Sequence, residues 1–229
     1  MARSKRLVLW AVLLVSTVAF GQRPIDLEIP PSEQVSLTLT PGATVRVEGT
    51  SAWRSFASQA TVVNFTGHAE APSAEVTGLR SDLTNAYRDR YPFQVELVIP
   101  VAGLKSGDEG LDETLASTLN EKQHPHLVFR MQSYEPHNAA GAGESETVTL
   151  RGTLNLAGQE KPVTVSARVV WSAGIPRLTG RFDLSLASYG LDAPRFFYFI
   201  RADDRVSVSF DLAVRAAPSR DDGTGWNIQ

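Results

Sequence analysis

Not one of the 229 residues is cysteine. Disulfide staples, thiolate metal sites, cysteine nucleophiles and an N-terminal lipid attached through a thiol are therefore excluded, and the core alone must hold the fold. Long apolar runs are missing as well. The run from Leu7 to Phe20 is 14 residues, against the roughly 20 that a membrane-spanning helix needs. No Gly-x-Ser-x-Gly elbow occurs, and the Ser, His and Asp residues show no local catalytic signature. A basic excess is lacking too: 22 Lys and Arg face 25 Asp and Glu. An acidic chain repels phosphate backbones, so a nucleic-acid partner is not expected.

What the N-terminus does have is the three-part pattern of a secretory signal. Arg3, Lys5 and Arg6 precede the apolar run, and Ala19-Phe20-Gly21 places small residues where a signal peptidase reads. The expectation is a signal peptide over residues 1–21, cleaved after Gly21, and a periplasmic or otherwise secreted protein. That cleavage takes three basic residues and no acidic one, leaving 208 residues with a net charge of −6. Residues 22–34 read as an irregular lead-in, with Pro24, Pro30 and Pro31 blocking regular structure.

From residue 35 onward the signal is period two, the mark of strands with one buried and one wet face. Val35, Leu37 and Leu39 alternate with polar residues up to a Pro41-Gly42 turn, and Thr44 to Glu48 alternates again. Ala60 to Ala69 is a further strand. The cleanest is Phe93, Val95, Leu97, Ile99 and Val101, with Pro100 facing outward. His126 to Tyr134, Thr147 to Leu156, Val163 to Trp171, Leu178 to Leu186 and Val206 to Val214 follow, separated by turn residues. One segment departs: Leu111, Leu115 and Leu119 recur every four residues after the capping-box-like Ser106-Gly107-Asp108-Glu109, giving one short amphipathic helix that ends before Pro125. The leucine stripe is narrow and suits a helix lying across a barrel or sheet. About eight strands with regular turns make an all-β fold, a barrel or sandwich of one domain over 35–216. Residues 136–146 form a Gly/Ala/Glu-rich surface insertion, and 217–229 a polar tail.

Candidate chemistry is sparse. His124 and His126 stand two apart around Pro125 with no third ligand at matching spacing, so a role for His124 at the end of the helix is favoured over a metal. Asp203 and Asp204 are adjacent in a strand and point to opposite faces, which makes a shared substrate awkward. The run Phe196-Phe197-Tyr198-Phe199-Ile200 cannot face one side of a strand. It reads equally as an aromatic lip at an opening or as a plug folded over the core.

Several blocks in order carry a family resemblance. They are Val47-Glu48-Gly49-Thr50-Ser51 followed by Trp53-Arg54-Ser55-Phe56; Val101-Ala102-Gly103-Leu104-Lys105-Ser106-Gly107 with Gly110-Leu111-Asp112; Lys122-Gln123-His124-Pro125-His126-Leu127-Val128-Phe129; Gly152-Thr153-Leu154-Asn155-Leu156-Ala157-Gly158 running into Lys161-Pro162-Val163; and Asp204-Arg205-Val206-Ser207-Val208. Over roughly residues 35–215 the chain resembles the YceI family of periplasmic lipid-binding proteins. It departs from the pattern in the longer 136–146 insertion, the aromatic run and Leu111, where Met is usual.

The resemblance implies a lipocalin-like, eight-stranded antiparallel barrel. Its interior would hold a long apolar ligand, an isoprenoid quinone or other polyisoprenoid lipid, with no catalytic motif, no metal and no cofactor beyond that lipid. Alternation makes Phe93, Val95, Leu97, Ile99, Leu154, Leu156, Val165 and Phe182 inward-facing, and Leu111, Leu115, Phe129, Phe197 and Phe199 complete the expected ligand-contacting set. On pattern alone the same residues would fill a solid core, and a structural or protein-interaction module is the competing reading; only the resemblance favours a hollow. A carrier of this kind would touch membranes transiently. Whether it dimerises is left open by the sequence.

Overall fold

A computed structural model describes residues 32–51, 55–72, 82–137, 145–172, 175–192, 195–196 and 200–218. The signal-like segment, the lead-in up to residue 31, Trp53, most of the 136–146 insertion, Phe197, Phe199 and the end of the tail lie outside the described residues; residues 32–34, expected as irregular lead-in, are the start of the first strand, where they pair with residues 70–72. The strands are β1 (Ser32–Leu39), β2 (Thr44–Ser51), β3 (Ser55–Ala60), β4 (Asn64–Pro72), β5 (Phe93–Pro100), β6 (Leu104–Lys105), β7 (His126–Pro136), β8 (Ser145–Leu156), β9 (Gln159–Ser172), β10 (Ile175–Ser185), β11 (Arg195–Phe196) and β12 (Ile200–Pro218). Two α-helices accompany them, α1 (Asp82–Arg88) and α2 (Glu109–Thr118).

The sheet closes on itself. Neighbours run β1-β4-β5-β7-β8-β9-β10-β12, all antiparallel, and β12 returns to β1 with Val35 opposite Pro218 and Leu39 opposite Val214. This is a closed eight-stranded barrel. The remaining strands lengthen the ring. β12 pairs with β1 through its last residues and with β2 through Val206–Asp211, so β2 continues the row of β1. β3 pairs with β2 and β6 as β4 pairs with β1 and β5. Three neighbouring rows are therefore long strands, each broken once: at Pro41-Gly42, at residues 61–63 and at the 3₁₀ turn Val101–Gly103. Hydrogen bonds stitch the breaks. The Thr40 amide donates to Ala213 O at 2.8 Å, and the Thr61 amide and hydroxyl to Gly103 O at 2.8 and 2.9 Å. The strand expected from Ala60 to Ala69 is thus the end of β3, a bend at residues 61–63 and most of β4.

The β8–β9 hairpin turns on two residues, Ala157 and Gly158, at φ 48° and 79°. Two consecutive positive φ angles match the right-handed strand twist. Gly158 also leaves room for the His124 ring, since a β-carbon there would stand 2.8 Å from Nε2. The His124 amide donates to Asn120 O just past the helix, while its ring is spent on this turn, a contact the helix-end reading did not include.

The expectation of one helix falls short by one. α1 lies in the crossover between β4 and β5 and buries Leu83, Ala86 and Tyr87. Its seven residues are too few to show a 3.6-residue period. α2 is the helix the leucine stripe indicated, but its N-cap is Asp108, whose side chain accepts from Leu111 N at 3.1 Å. Ser106 instead donates through its amide and hydroxyl to Asp112, at 2.8 and 2.6 Å. Burial works against the Asp112 charge, yet these bonds and Lys105 at 3.7 Å hold its carboxyl below the usual range. Glu109 and Asp112 sit in the first turn, where the helix dipole favours negative charge. Asn120 then leaves the helix at φ 53°. α1 covers the barrel end where β1 begins and β12 finishes; α2 covers the opposite end. Among the described residues no helix is long and apolar enough to cross a membrane. The outer wall carries cross-strand ion pairs such as Arg130 with Glu96 at 2.7 Å and Arg177 with Asp211 at 2.5 Å, each contributing little in solvent.

Candidate functional site

Alternation determines what the barrel encloses. On β8 the inward residues are Val148, Leu150, Leu154 and Leu156; on β12 they are Val206, Val208, Phe210, Leu212 and Val214. The inner faces do not meet. They surround one cavity of about 230 Å³, apolar almost throughout, where a single water needs only on the order of 10–15 Å³. The chain does not build the solid core that pattern alone would allow. The hollow runs from Leu83 and Tyr87 of α1 to Leu115 of α2 and its C-cap Leu119. Along β10 and the residue after it the lining extends from Pro176 to Leu186. Ten steps at roughly 3.3 Å per residue and a tilt of about 40° give a length on the order of 25 Å.

Phe93, Val95, Leu97, Ile99, Leu115, Phe129, Leu154, Leu156, Val165 and Phe182 all line this cavity. Leu111 does not; it packs partly buried against the core cluster beside Leu115. Only one face of α2 reaches the lumen, and Leu115 and Leu119 occupy it. Phe197 and Phe199 lie outside the described residues. Residues that alternation had placed in strands without assigning them to the site, among them Leu37, Val45, Leu178, Val206 and Val214, line it too.

Two lining side chains come from irregularities. Tyr87 belongs to the short helix. Tyr134 follows a register shift between Met131 and Ser133 in the β7–β8 pairing. Met131 and Phe129 face inward; the bulge adds one residue and turns Tyr134, three positions on from Met131, inward as well. Simple alternation from Leu127 would have pointed Tyr134 out.

Four strand glycines shape the wall. Gly49, Gly67, Gly152 and Gly180 occupy inward positions, and at Gly49, Gly67 and Gly180 the space of the missing side chain is covered by a phenylalanine ring. Phe56 lies over Gly49 and Phe210 over Gly180, each its register partner on the adjacent strand. A β-carbon on Gly49 would stand 2.6 Å from Phe56 Cε1, and one on Gly180 2.7 Å from Phe210 Cε1. Gly67 gives the same room to Phe65, at 2.8 Å, whereas a β-carbon on Gly152 would meet the Arg130 carbonyl oxygen before it met Phe129, at 2.8 Å.

The α1 end is aromatic. Tyr87 stacks on Tyr134 with centroids 5.3 Å apart and tilts against Trp171 at 5.4 Å, while Phe93 meets Tyr134 edge-on at 5.3 Å. The Tyr134 hydroxyl donates toward the carbonyls of Tyr91, at 3.0 Å, and Tyr87, at 3.2 Å, tying the end of α1 to the barrel. Glu146, 7 % exposed, is the buried carboxylate here and accepts from Trp171 Nε1 at 3.1 Å. Burial pushes the Tyr134 phenol up to about 12. Burial, then the Glu146 carboxylate, pushes Tyr87 higher still, so both phenols stay neutral near pH 7. At the other end Asp204 accepts from Ser185 Oγ and Ala187 N, both at 2.6 Å. It pins the 3₁₀ turn Ala187–Tyr189 that closes the wall beside α2. Among the described residues no group of three or more His, Asp or Glu gathers to hold a metal.

With this geometry in place, the comparisons are specific. The family model described as the YceI-like domain matches residues 43–214. Among solved structures, Burkholderia cenocepacia BcnA is 16 % identical, covering 74 % of this chain and 95 % of its own, at a TM-score of 0.52. A polyisoprenoid binding domain from Saccharophagus degradans, implicated in plant cell wall breakdown, is 14 % identical, covering 80 % of this chain and 98 % of its own, at a TM-score of 0.54. At such identities the likeness is one of fold. No curated protein sequence matches the chain.

Proposed function

The chain belongs to the YceI-like family, and from that premise we propose that it binds and carries one long, slender lipid of the isoprenoid type inside the barrel. The observation that carries the reading is the continuous apolar hollow reaching from α1 to α2. A ligand held there needs apolar length and little polar recognition. Burial of each methylene contributes about 0.8 kcal/mol, offset in part by the ordering of a flexible chain. A prenyl tail matches these terms. The Saccharophagus domain of similar fold is named for polyisoprenoid binding, which supports the same choice. The role is binding, with no reaction at the lumen. The signal-like Arg3–Gly21 segment supports a periplasmic or secreted location, with transient membrane contact during loading.

Native mass spectrometry of the full chain after mild purification tests the reading. One bound apolar species per barrel is expected, as is uptake of tetraprenyl quinone, whose extended length suits the hollow, by delipidated protein. Val165→Lys, which sets a charge against the lumen, is expected to abolish uptake. A clean ligand-free mass with no uptake of the quinone or of a long prenol would overturn the assignment. The intact mass of exported protein is expected to match a chain that begins at Gln22, with or without cyclisation of that glutamine.

A further inference from the structure

Four lumen-facing positions in the barrel carry no side chain; at Gly49, Gly67 and Gly180 a phenyl ring is what a β-carbon would meet first, while at Gly152 the Arg130 carbonyl oxygen stands nearer than the Phe129 ring. Gly180 stands between Leu178 and Phe182, and Gly152 between Leu150 and Leu154, all four neighbours lining the hollow. Gly49 continues the row of Val45 and Val47, and Gly67 that of Phe65. Glycine weakens a strand interior, so four of them on inward positions call for a reason in packing. Three of them admit a ring: Phe56, Phe65 and Phe210 line the cavity with ring atoms standing over Gly49, Gly67 and Gly180. These three pairs are spread around the barrel, on β2–β3, β4 and β10–β12.

Resting on the lipid-binding reading, we propose that these glycine–phenylalanine pairs determine specificity by setting the bore, which is wide enough for one flat, methyl-branched chain and too narrow for a two-tailed phospholipid. The recessed ring keeps the axis open, and its face bounds the channel. Adding one carbon at the glycine displaces the ring into the path of the ligand. Removing the ring widens the channel and relaxes selection.

The experiment uses the delipidated full chain. Uptake of tetraprenyl quinone and of dioleoylphosphatidylglycerol is read by native mass spectrometry, and folding by far-ultraviolet circular dichroism. Gly180→Ala is expected to lower quinone uptake by at least about tenfold, the scale of one lost favourable contact region. The double variant Gly180→Ala/Phe210→Leu is expected to recover most of it. Phe210→Leu alone leaves the glycine intact and remains informative if Gly180→Ala fails to fold; it is expected to raise phospholipid uptake relative to quinone by about tenfold. A folded Gly180→Ala protein that takes up quinone like the parent would overturn the proposal, as would a Phe210→Leu protein with unchanged selection. If the parent itself takes up no quinone, it is the lipid-binding reading that fails.

Discussion

Trp171 hands its indole N–H to Oε1 of Glu146 at 3.1 Å, and this bond joins β9 to β8 beneath the aromatic cluster that closes one end of the barrel. The carboxylate is nearly buried among apolar neighbours, so the bond matters more for what its loss would expose than for its own strength.

Glu146→Ala is expected to destabilise the fold by about 1–3 kcal/mol, because the half-buried indole N–H loses its partner. Glu146→Gln keeps an acceptor and is expected to cost less than about 1 kcal/mol. Urea unfolding followed by tryptophan emission separates the two; equal costs would show that the charge, not the acceptor, matters.

Tyr134→Phe removes the hydroxyl that holds the carbonyls of Tyr91 and Tyr87. A loss of about 1 kcal/mol is expected, concentrated in α1, and hydrogen exchange of the α1 amides is expected to accelerate while those of β8 and β9 stay protected.

The same phenol governs the alkaline limit. Its pKa in the fold is raised to about 12, above the unfolded value near 10. A raised pKa contributes stability that is whole below the unfolded value and is lost as pH climbs through the folded one. Between about pH 10 and 12 the wild type should lose stability, and Tyr134→Phe less of it. Urea midpoints across that range check the difference.

Asp204 governs part of the acid limit, with the opposite sign. Bonds from Ser185 and Ala187 lower its pKa. Its contribution is therefore present above the unfolded value of about 3.9 and vanishes as pH falls through the folded value. Asp204→Asn should lower stability at neutral pH and flatten the fall below about pH 4, as followed by urea midpoints across the acid range.

Asp108→Ala is expected to cost about 1 kcal/mol through the lost N-cap of α2. Asp108→Ser should restore most of it in thermal unfolding, which a merely electrostatic role for the carboxylate would not allow.

Period two made the ring legible. From Phe93 to Ile99 and from Val206 to Val214 the alternation in the sequence is the alternation of lumen and solvent in the structure. Helix α1 was not legible, because Leu83, Ala86 and Tyr87 span barely more than one turn. Tyr134 was hidden by a bulge, which alternation cannot register. Leu111 was drawn in by a stripe whose outer edge misses the opening. The choice between a hollow and a filled interior was beyond pattern, since both use the same aliphatic residues.

The seam of the barrel joins the first described strand to the last. Thr40 bonds Ala213 across 173 residues of chain. Contacts so distant in sequence come at a high loop-closure cost and form slowly. Until β12 is available, the meander is an open sheet with β1 and β10 as raw margins and its greasy face uncovered. Loading and closure can then share one event: a lipid laid along the unfinished trough would shield that face while the final strand zips home, and a chain cut before Val206 should remain an aggregating ribbon.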